Sequence, residues 1–182
     1  MLYIIRHGIT DWNEKHKLQG STDIPLNDKG RKMASEAREK YKDINFDICY
    51  CSPLIRAVET AEILLEGRNI PIVYDDRLRE MGFGIYEGIE NSFNIPDCPV
   101  NKCFFNPEEY TPVDGGESFE GLFERTGNFI EEVVEPELKN GKDIIIVGHG
   151  AMNSSIRCRI NNISLEHFWD GFIKNCELIR LI

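Results

Sequence analysis

The chain has 182 residues and carries 21 Lys and Arg against 31 Asp and Glu. The resulting formal charge of −10 argues against nucleic acid or an anionic membrane surface as a partner. Hydrophobic residues at 41% and charged residues at 29% exclude wholesale disorder, and the length suits one packed domain spanning residues 1–182 rather than two.

No apolar run approaches membrane-spanning length, and Met1 leads straight into an apolar segment without a leader pattern. A cytoplasmic location is therefore expected, in which the six cysteines remain free thiols. Neither Cys49-x-Cys51 nor Cys98-x4-Cys103 matches the usual zinc spacings.

The first element, Leu2-Tyr3-Ile4-Ile5, is too short for a helix and unbroken by polar residues, which predicts a strand buried on both faces of a parallel sheet. Arg6-His7-Gly8 then falls at the carboxyl edge of that sheet. This is the edge where open α/β sheets bind ligands, so a cation and a titratable ring placed there point to an anion. Taken alone, the tripeptide reads equally well as a surface turn.

Thr10 or Asp11 is suited to cap a short helix, which keeps Asn13 near any ligand of His7. Gln19-Gly20 lies in a loop over 17–26, as a plain turn or a ligand contact. Asn27 or Asp28 caps a helix that runs to about Tyr41. A second strand over Phe46–Cys51 leads to Ser52-Pro53, where Ser52 as cap and Pro53 at the first position predict a helix over 53–66 that stops at Gly67. Arg56 falls in its first turn, where a cation opposes the helix dipole. An anion held jointly by the helix end and the guanidinium would resolve the conflict; a solvated arginine is the plainer alternative.

Ile70–Tyr74 reads as an edge strand because of Pro71. Leu78–Gly88 has glycines at 82, 84 and 88 that prevent a regular helix, framed by Glu80 and Glu87. The stretch 91–116 reads as an irregular insertion over the site, part of a cap spanning about 79–116. A helix follows over 117–135, with a core-facing stripe at Phe119, Leu122, Phe123, Phe129, Ile130 and Val133, and Pro136 is expected to end it. Asp143–Val147 then repeats the pattern of the opening strand, with Gly148-His149-Gly150 at its end. A helix over 151–160, a segment containing His167, Phe168 and Trp169, and a last strand over 176–181 complete the chain. His16 and His167 lack any strand-end context and read as structural or surface residues. The fold class implied is α/β, a three-layer sandwich with a mostly parallel central sheet, helices on both faces and an irregular cap.

This arrangement gathers Arg6, His7, Arg56 and His149 at one sheet edge, a set of positive or potentially positive groups suited to phosphate. No Walker motif or acidic ligand cluster is present, so neither a metal nor another cofactor is expected. A glutamate of the 78–88 loop is available as a proton donor.

The ordered motifs Arg6-His7-Gly8 with Thr10 and Trp12-Asn13, Gln19-Gly20 through Asp23-Ile-Pro-Leu26, Ser52-Pro53-Leu54 with Arg56-Ala57, Leu78-x-Glu80, Phe83-Gly84, Glu87-Gly88, Gly115-Gly116-Glu117-Ser118 and Gly148-His149-Gly150 resemble the histidine phosphatase superfamily, the phosphoglycerate-mutase-like proteins. The resemblance covers nearly the whole chain. It implies that His7 is the nucleophile and that Arg6, Arg56 and His149 bind phosphoryl oxygens, assisted by Asn13. It further implies that Glu80 is the proton donor and that Gln19 and Gly20 contact substrate. The expected activity is metal-independent hydrolysis of a small phosphate ester through phosphohistidine. The alternatives are a cofactor-dependent mutase or a non-catalytic phospho-ligand-binding protein.

The chain is similar to the small-phosphatase branch that includes α-ribazole phosphatase, and it lacks the long insertions of the mutases. Its insertion holds one cation, Lys102, against Asp97, Glu108, Glu109 and Asp114, which disfavours a second anionic group on the substrate. Phe93, Phe104, Phe105 and Tyr110 favour an apolar or ring-bearing leaving group.

Overall fold

The computed structural model describes residues 1–182. Five strands form one sheet in the order β3-β2-β4-β1-β5. They are β1 (Leu2–Arg6), β2 (Ile48–Cys51), β3 (Ile72–Tyr74), β4 (Ile144–Gly148) and β5 (Leu178–Arg180). The first four run parallel, and β5 lies antiparallel against β1. Pro71 stands just before the edge strand β3, where its missing N–H costs no ladder bond, while its carbonyl accepts from Cys49 N–H at 2.9 Å.

Alternation along the strands sorts the core into two layers. Tyr3, Ile5, Cys49, Cys51, Ile145 and Val147 face α2 (Asp28–Lys40) and α3 (Ile55–Leu65), meeting Ala34, Ala37, Ala57, Ala61 and Leu64. Leu2, Ile4, Ile48, Ile144 and Ile146 face the other way, onto Phe129, Ile130, Val134, Met152 and Ile156. The second layer is supplied by α5 (Phe119–Phe129) with its continuation and by α7 (Gly150–Asn161). Each isoleucine so buried contributes roughly 1.5–3 kcal/mol, and covering both faces accounts for the continuous apolar runs of β1 and β4. The three layers and mostly parallel sheet match the expected class.

The strands β2, β3 and β5 each begin two residues later than the sequence reading has them, and two helix boundaries are made differently. Helix α3 begins at Ile55, and Ser52 does not cap it; Asp23 reaches across from the preceding loop and accepts from Ile55 N–H at 2.7 Å. Pro136 does not end the α5 helix. A π-helical turn over Ile130–Val134 carries the backbone into α6 (Glu135–Lys139), which puts the proline in a first turn where its missing donor is not needed.

Residues 79–116 contain short 3₁₀ turns and one four-residue helix, α4 (Lys102–Phe105). They pack through Met81, Phe83, Cys98, Val100 and Cys103 onto Phe119, Leu122, Ala151 and Phe168. This is a third apolar cluster, built beside the sheet's carboxyl edge.

Candidate active site

Parallel pairing of β1 with β4 sets Arg6 opposite Gly148, and His7 N–H donates to Gly148 C=O at 2.9 Å. The two strand-end histidines are thereby neighbours, their ring centroids 5.2 Å apart. Gly8 turns the chain away against α2, where a Cβ on it would lie 2.6 Å from Gly30 O, so no larger residue fits that crossing.

His7 Nδ1 lies 2.6 Å from the carbonyl of Gly8. A carbonyl only accepts, so the proton sits on Nδ1 and Nε2 keeps its lone pair. Both histidines are held well below the usual imidazole range, by burial first and by the Arg56 charge second. Neutral rings follow. His149 is fully buried, with Nε2 2.7 Å from Ser52 Oγ and Nδ1 without a partner.

Arg56 is fully buried, donating to Thr22 O at 2.8 Å and Gly20 O at 2.7 Å. Burial pulls it down to about 10 against the raising charges of Glu80, Asp23 and Glu87, so it remains a cation. Its position explains Gly20, whose φ of +54° turns the carbonyl into the guanidinium's reach. Arg6 donates to Ile173 O at 3.3 Å and lies under the Phe172 ring, 4.6 Å from its centroid.

Thr10 caps α1 (Asp11–Glu14) in a capping box with Asn13, and its hydroxyl also lies 2.9 Å from Gln19 Oε1. Both amide oxygens face Thr10, which leaves the NH₂ groups of Asn13 and Gln19 to donate elsewhere.

Glu80 sits at the start of α7. Its Oε2 accepts from Gly150 N–H at 2.8 Å and Ala151 N–H at 3.2 Å, and its Oε1 from Met152 N–H at 3.0 Å and Met81 N–H at 2.9 Å. Glu87, the other acid of that loop, accepts from the backbone and hydroxyls of Ser21 and Thr22 and from Phe83 N–H. It pins two loops together, and Glu80 is the carboxylate on the cavity.

Arg6, His7, Asn13, Gln19, Gly20, Arg56 and Glu80 line one cavity of about 120 Å³. His149 is buried beside His7 and is not part of that lining. The remainder of the wall corrects the sequence reading. Of the four insertion aromatics only Phe104 reaches the cavity, joined by Phe83, Trp169 and Phe172. Phe93 and Phe105 are exposed, and Tyr110 packs edge-on to Phe119. Trp169 stacks on Phe104 with centroids 5.2 Å apart and donates its indole N–H to Cys103 O at 2.7 Å. Lys102 lies near Glu109 at 3.6 Å, away from the cavity, whereas Lys17, which carried no motif signal, lines it.

The roles of Ser52 and Asp23 were not expected from the sequence, and Asn175 was not singled out at all; Asn175 Nδ2 donates to His7 O at 2.7 Å. Ser52 and Asp23 each stood in a family motif, but the local pattern made Ser52 a helix cap and gave Asp23 no role.

The residues 2–182 match the model of the histidine phosphatase superfamily, branch 1. A 2,3-bisphosphoglycerate-dependent phosphoglycerate mutase of Cytophaga hutchinsonii is 32% identical over 169 residues, covering 91% of this chain and 79% of its own. Among solved structures, Bacillus stearothermophilus YhfR superposes with a TM-score of 0.87 at 30% identity, covering 97% of this chain and 88% of that one. The α-ribazole phosphatase from Shigella flexneri gives 0.83 at 26%, covering 97% and 87%. No helix is long and apolar enough to cross a membrane. With the match spanning the paired strands, both histidines and the cap, the chain belongs to the histidine phosphatase superfamily, branch 1.

Proposed function

We propose that the protein is a phosphomonoesterase that works through phosphorylated His7 without a metal. The observation that carries this reading is the bond from His7 Nδ1–H to Gly8 O. It leaves a neutral ring with Nε2 as a nucleophile beside the half-buried Arg6 and the buried Arg56. In the first step Nε2 attacks phosphorus, the ester P–O bond breaks, and Glu80 delivers a proton to the leaving oxygen. In the second, the oxygen of a water attacks the phosphorus of phosphohistidine, Glu80 takes the water's proton, and the P–N bond breaks to release phosphate and the neutral ring. Glu80 accepts four backbone N–H bonds. Serving as acid requires that it gain a proton and turn toward the substrate. Arg6, Arg56 and His149 offset the charge that builds on the phosphoryl oxygens, with Asn13 and Gln19 donating from the loop side and Gly20 holding Arg56 in place.

No cluster of three or more His, Cys, Asp or Glu side chains is arranged to hold a metal ion, and the arginines can take that electrostatic role. The cavity of about 120 Å³ lies below the ~300 Å³ at which drug-sized ligand sites begin, which favours a small ester. Its aromatic wall of Phe83, Phe104, Trp169 and Phe172 favours a flat or apolar leaving group. An α-ribazole phosphate, the substrate class in one structural relative's name, belongs on the test panel. The six buried free cysteines suit a reducing, cytoplasmic setting.

The test is hydrolysis of p-nitrophenyl phosphate and a panel of phosphomonoesters in excess EDTA. Phosphate release should be unaffected by the chelator. Activity lost to EDTA and restored by magnesium would overturn the metal-independent mechanism.

A further inference from the structure

Ser52 is a fully buried hydroxyl that the cap of α3 does not use. It stands at the end of β2, next to β4 in the sheet, and its N–H donates to Val147 O at 3.0 Å. This bond fixes the backbone of Ser52 two residues from His149. The side chain then meets two groups: Leu54 N–H, which donates to Oγ at 3.3 Å, and His149 Nε2 at 2.7 Å.

The hydroxyl proton has one acceptor within reach. Leu54 N–H is a donor and so occupies a lone pair of Oγ. Had His149 carried its proton on Nε2, two donors would converge on Ser52, and the hydroxyl hydrogen would be left buried without an acceptor, at a cost of about 1–3 kcal/mol. With the opposite polarity every group is satisfied: Ser52 O–H donates to Nε2, and the imidazole proton resides on Nδ1. That nitrogen is buried and has no partner in the protein, on a ring whose centroid is 5.2 Å from that of His7.

We propose, building on the phosphohistidine reading, that Ser52 is a positioning residue that fixes His149 in the Nδ1–H tautomer, so that the neutral ring presents one N–H to the phosphoryl group carried by His7. The tautomer matters because both histidines are neutral in this site, their protonation opposed first by burial and next by Arg56. A neutral imidazole has a single N–H, and facing the wrong way it would direct a lone pair at phosphoryl oxygens. The two histidines thus share one tautomer for different ends: Gly8 C=O holds the proton on Nδ1 of His7 to expose a nucleophile, and Ser52 O–H holds it on Nδ1 of His149 to expose a donor.

The experiment is nitrogen NMR of the histidine rings in the wild type, Ser52→Ala and Ser52→Thr, combined with steady-state kinetics on p-nitrophenyl phosphate. The wild type should show His149 protonated on Nδ1. Ser52→Ala should populate the Nε2–H form and lower kcat roughly 10-fold or more, as when an oriented transition-state donor is misdirected. Ser52→Thr keeps the hydroxyl and should restore both tautomer and rate. His149 found protonated on Nε2 in the wild type, or an Ala variant with unchanged tautomer and kcat, would overturn the proposal. A wild type that shows the Nδ1–H tautomer yet hydrolyses no phosphomonoester would instead refute the phosphatase reading, leaving the assignment of Ser52 in force, because the NMR measurement needs no turnover.

Discussion

His7 is 2% exposed and His149 fully buried, and each is held below the usual imidazole value of 6.5 by burial first and then by Arg56. The sign of the consequence follows from linkage. Above about pH 6.5 these rings are neutral in both folded and unfolded chains; below it the unfolded chain binds protons that the folded one refuses, and stability falls with pH. The ring resonances of His7 and His149 should therefore show no protonation step near pH 6.5, and the melting temperature should decline on the acid side of that value. A normal histidine titration at either residue would contradict the burial argument. At the same scale, rapid quench with labelled substrate should trap an acid-labile, base-stable adduct in the wild type and none in His7→Ala. His149→Ala should lose a factor of about 100 or more in kcat, the effect of removing a preorganised oxyanion donor. Glu80→Gln should slow hydrolysis of an alkyl phosphate far more than of p-nitrophenyl phosphate, since an alkoxide needs a full proton and a nitrophenolate needs little help. Equal losses on the two esters would make Glu80 a substrate-positioning group.

At the level of elements, the site depends on two loops that contain neither strand nor α-helix. Glu87 joins them. Burial pushes its carboxyl up, but the bonds from Thr22, Ser21 and Phe83 outweigh that and hold it below the ordinary range. Glu87→Gln places an NH₂ against backbone donors, and a few unsatisfied groups cost about 1–3 kcal/mol each. The variant should melt earlier and show a raised KM, because the displaced 20–22 segment holds Arg56 through Gly20 O and Thr22 O. An unchanged melting curve would show that the loops are held by other contacts. Asp23 plays the matching part at α3, where it replaces the serine cap that the local pattern suggested. Removing a capping carboxylate costs about 0.5–2 kcal/mol, so Asp23→Ala should destabilise by that amount in a denaturant titration and Asp23→Asn by much less.

For the molecule as a whole, a net charge of −10 surrounds a site that, on the proposed function, must attract phosphate, and the fold gathers the half-buried Arg6 and the buried Arg56 at one sheet edge. Beyond that phosphoryl pocket the cavity offers Lys17 and an aromatic wall, poor provision for the second anionic group of a bisphosphate. Primed with 2,3-bisphosphoglycerate, 3-phosphoglycerate should yield little 2-phosphoglycerate, while aromatic monoesters release phosphate. Efficient isomerisation without phosphate release would make the protein a mutase and leave the histidine chemistry intact. What the amino-acid sequence determined by itself was local: unbroken apolar runs that end at Arg6-His7-Gly8 and Gly148-His149-Gly150, the arginine in the first turn of α3, the edge strand after Pro71, and the short motifs that mark the family. Such signals lie within a few residues of one another, where backbone sterics and burial act directly. Tertiary structure alone decided that Asp23 caps α3 across 32 positions of chain, that Ser52 turns to His149 97 residues away, and that Trp169 and Phe172 complete a wall expected from the insertion. Each is a hydrogen bond or ring contact between segments distant in sequence. No periodicity encodes such a pairing, and it exists only once sheet order and the cap's packing have brought the partners within reach.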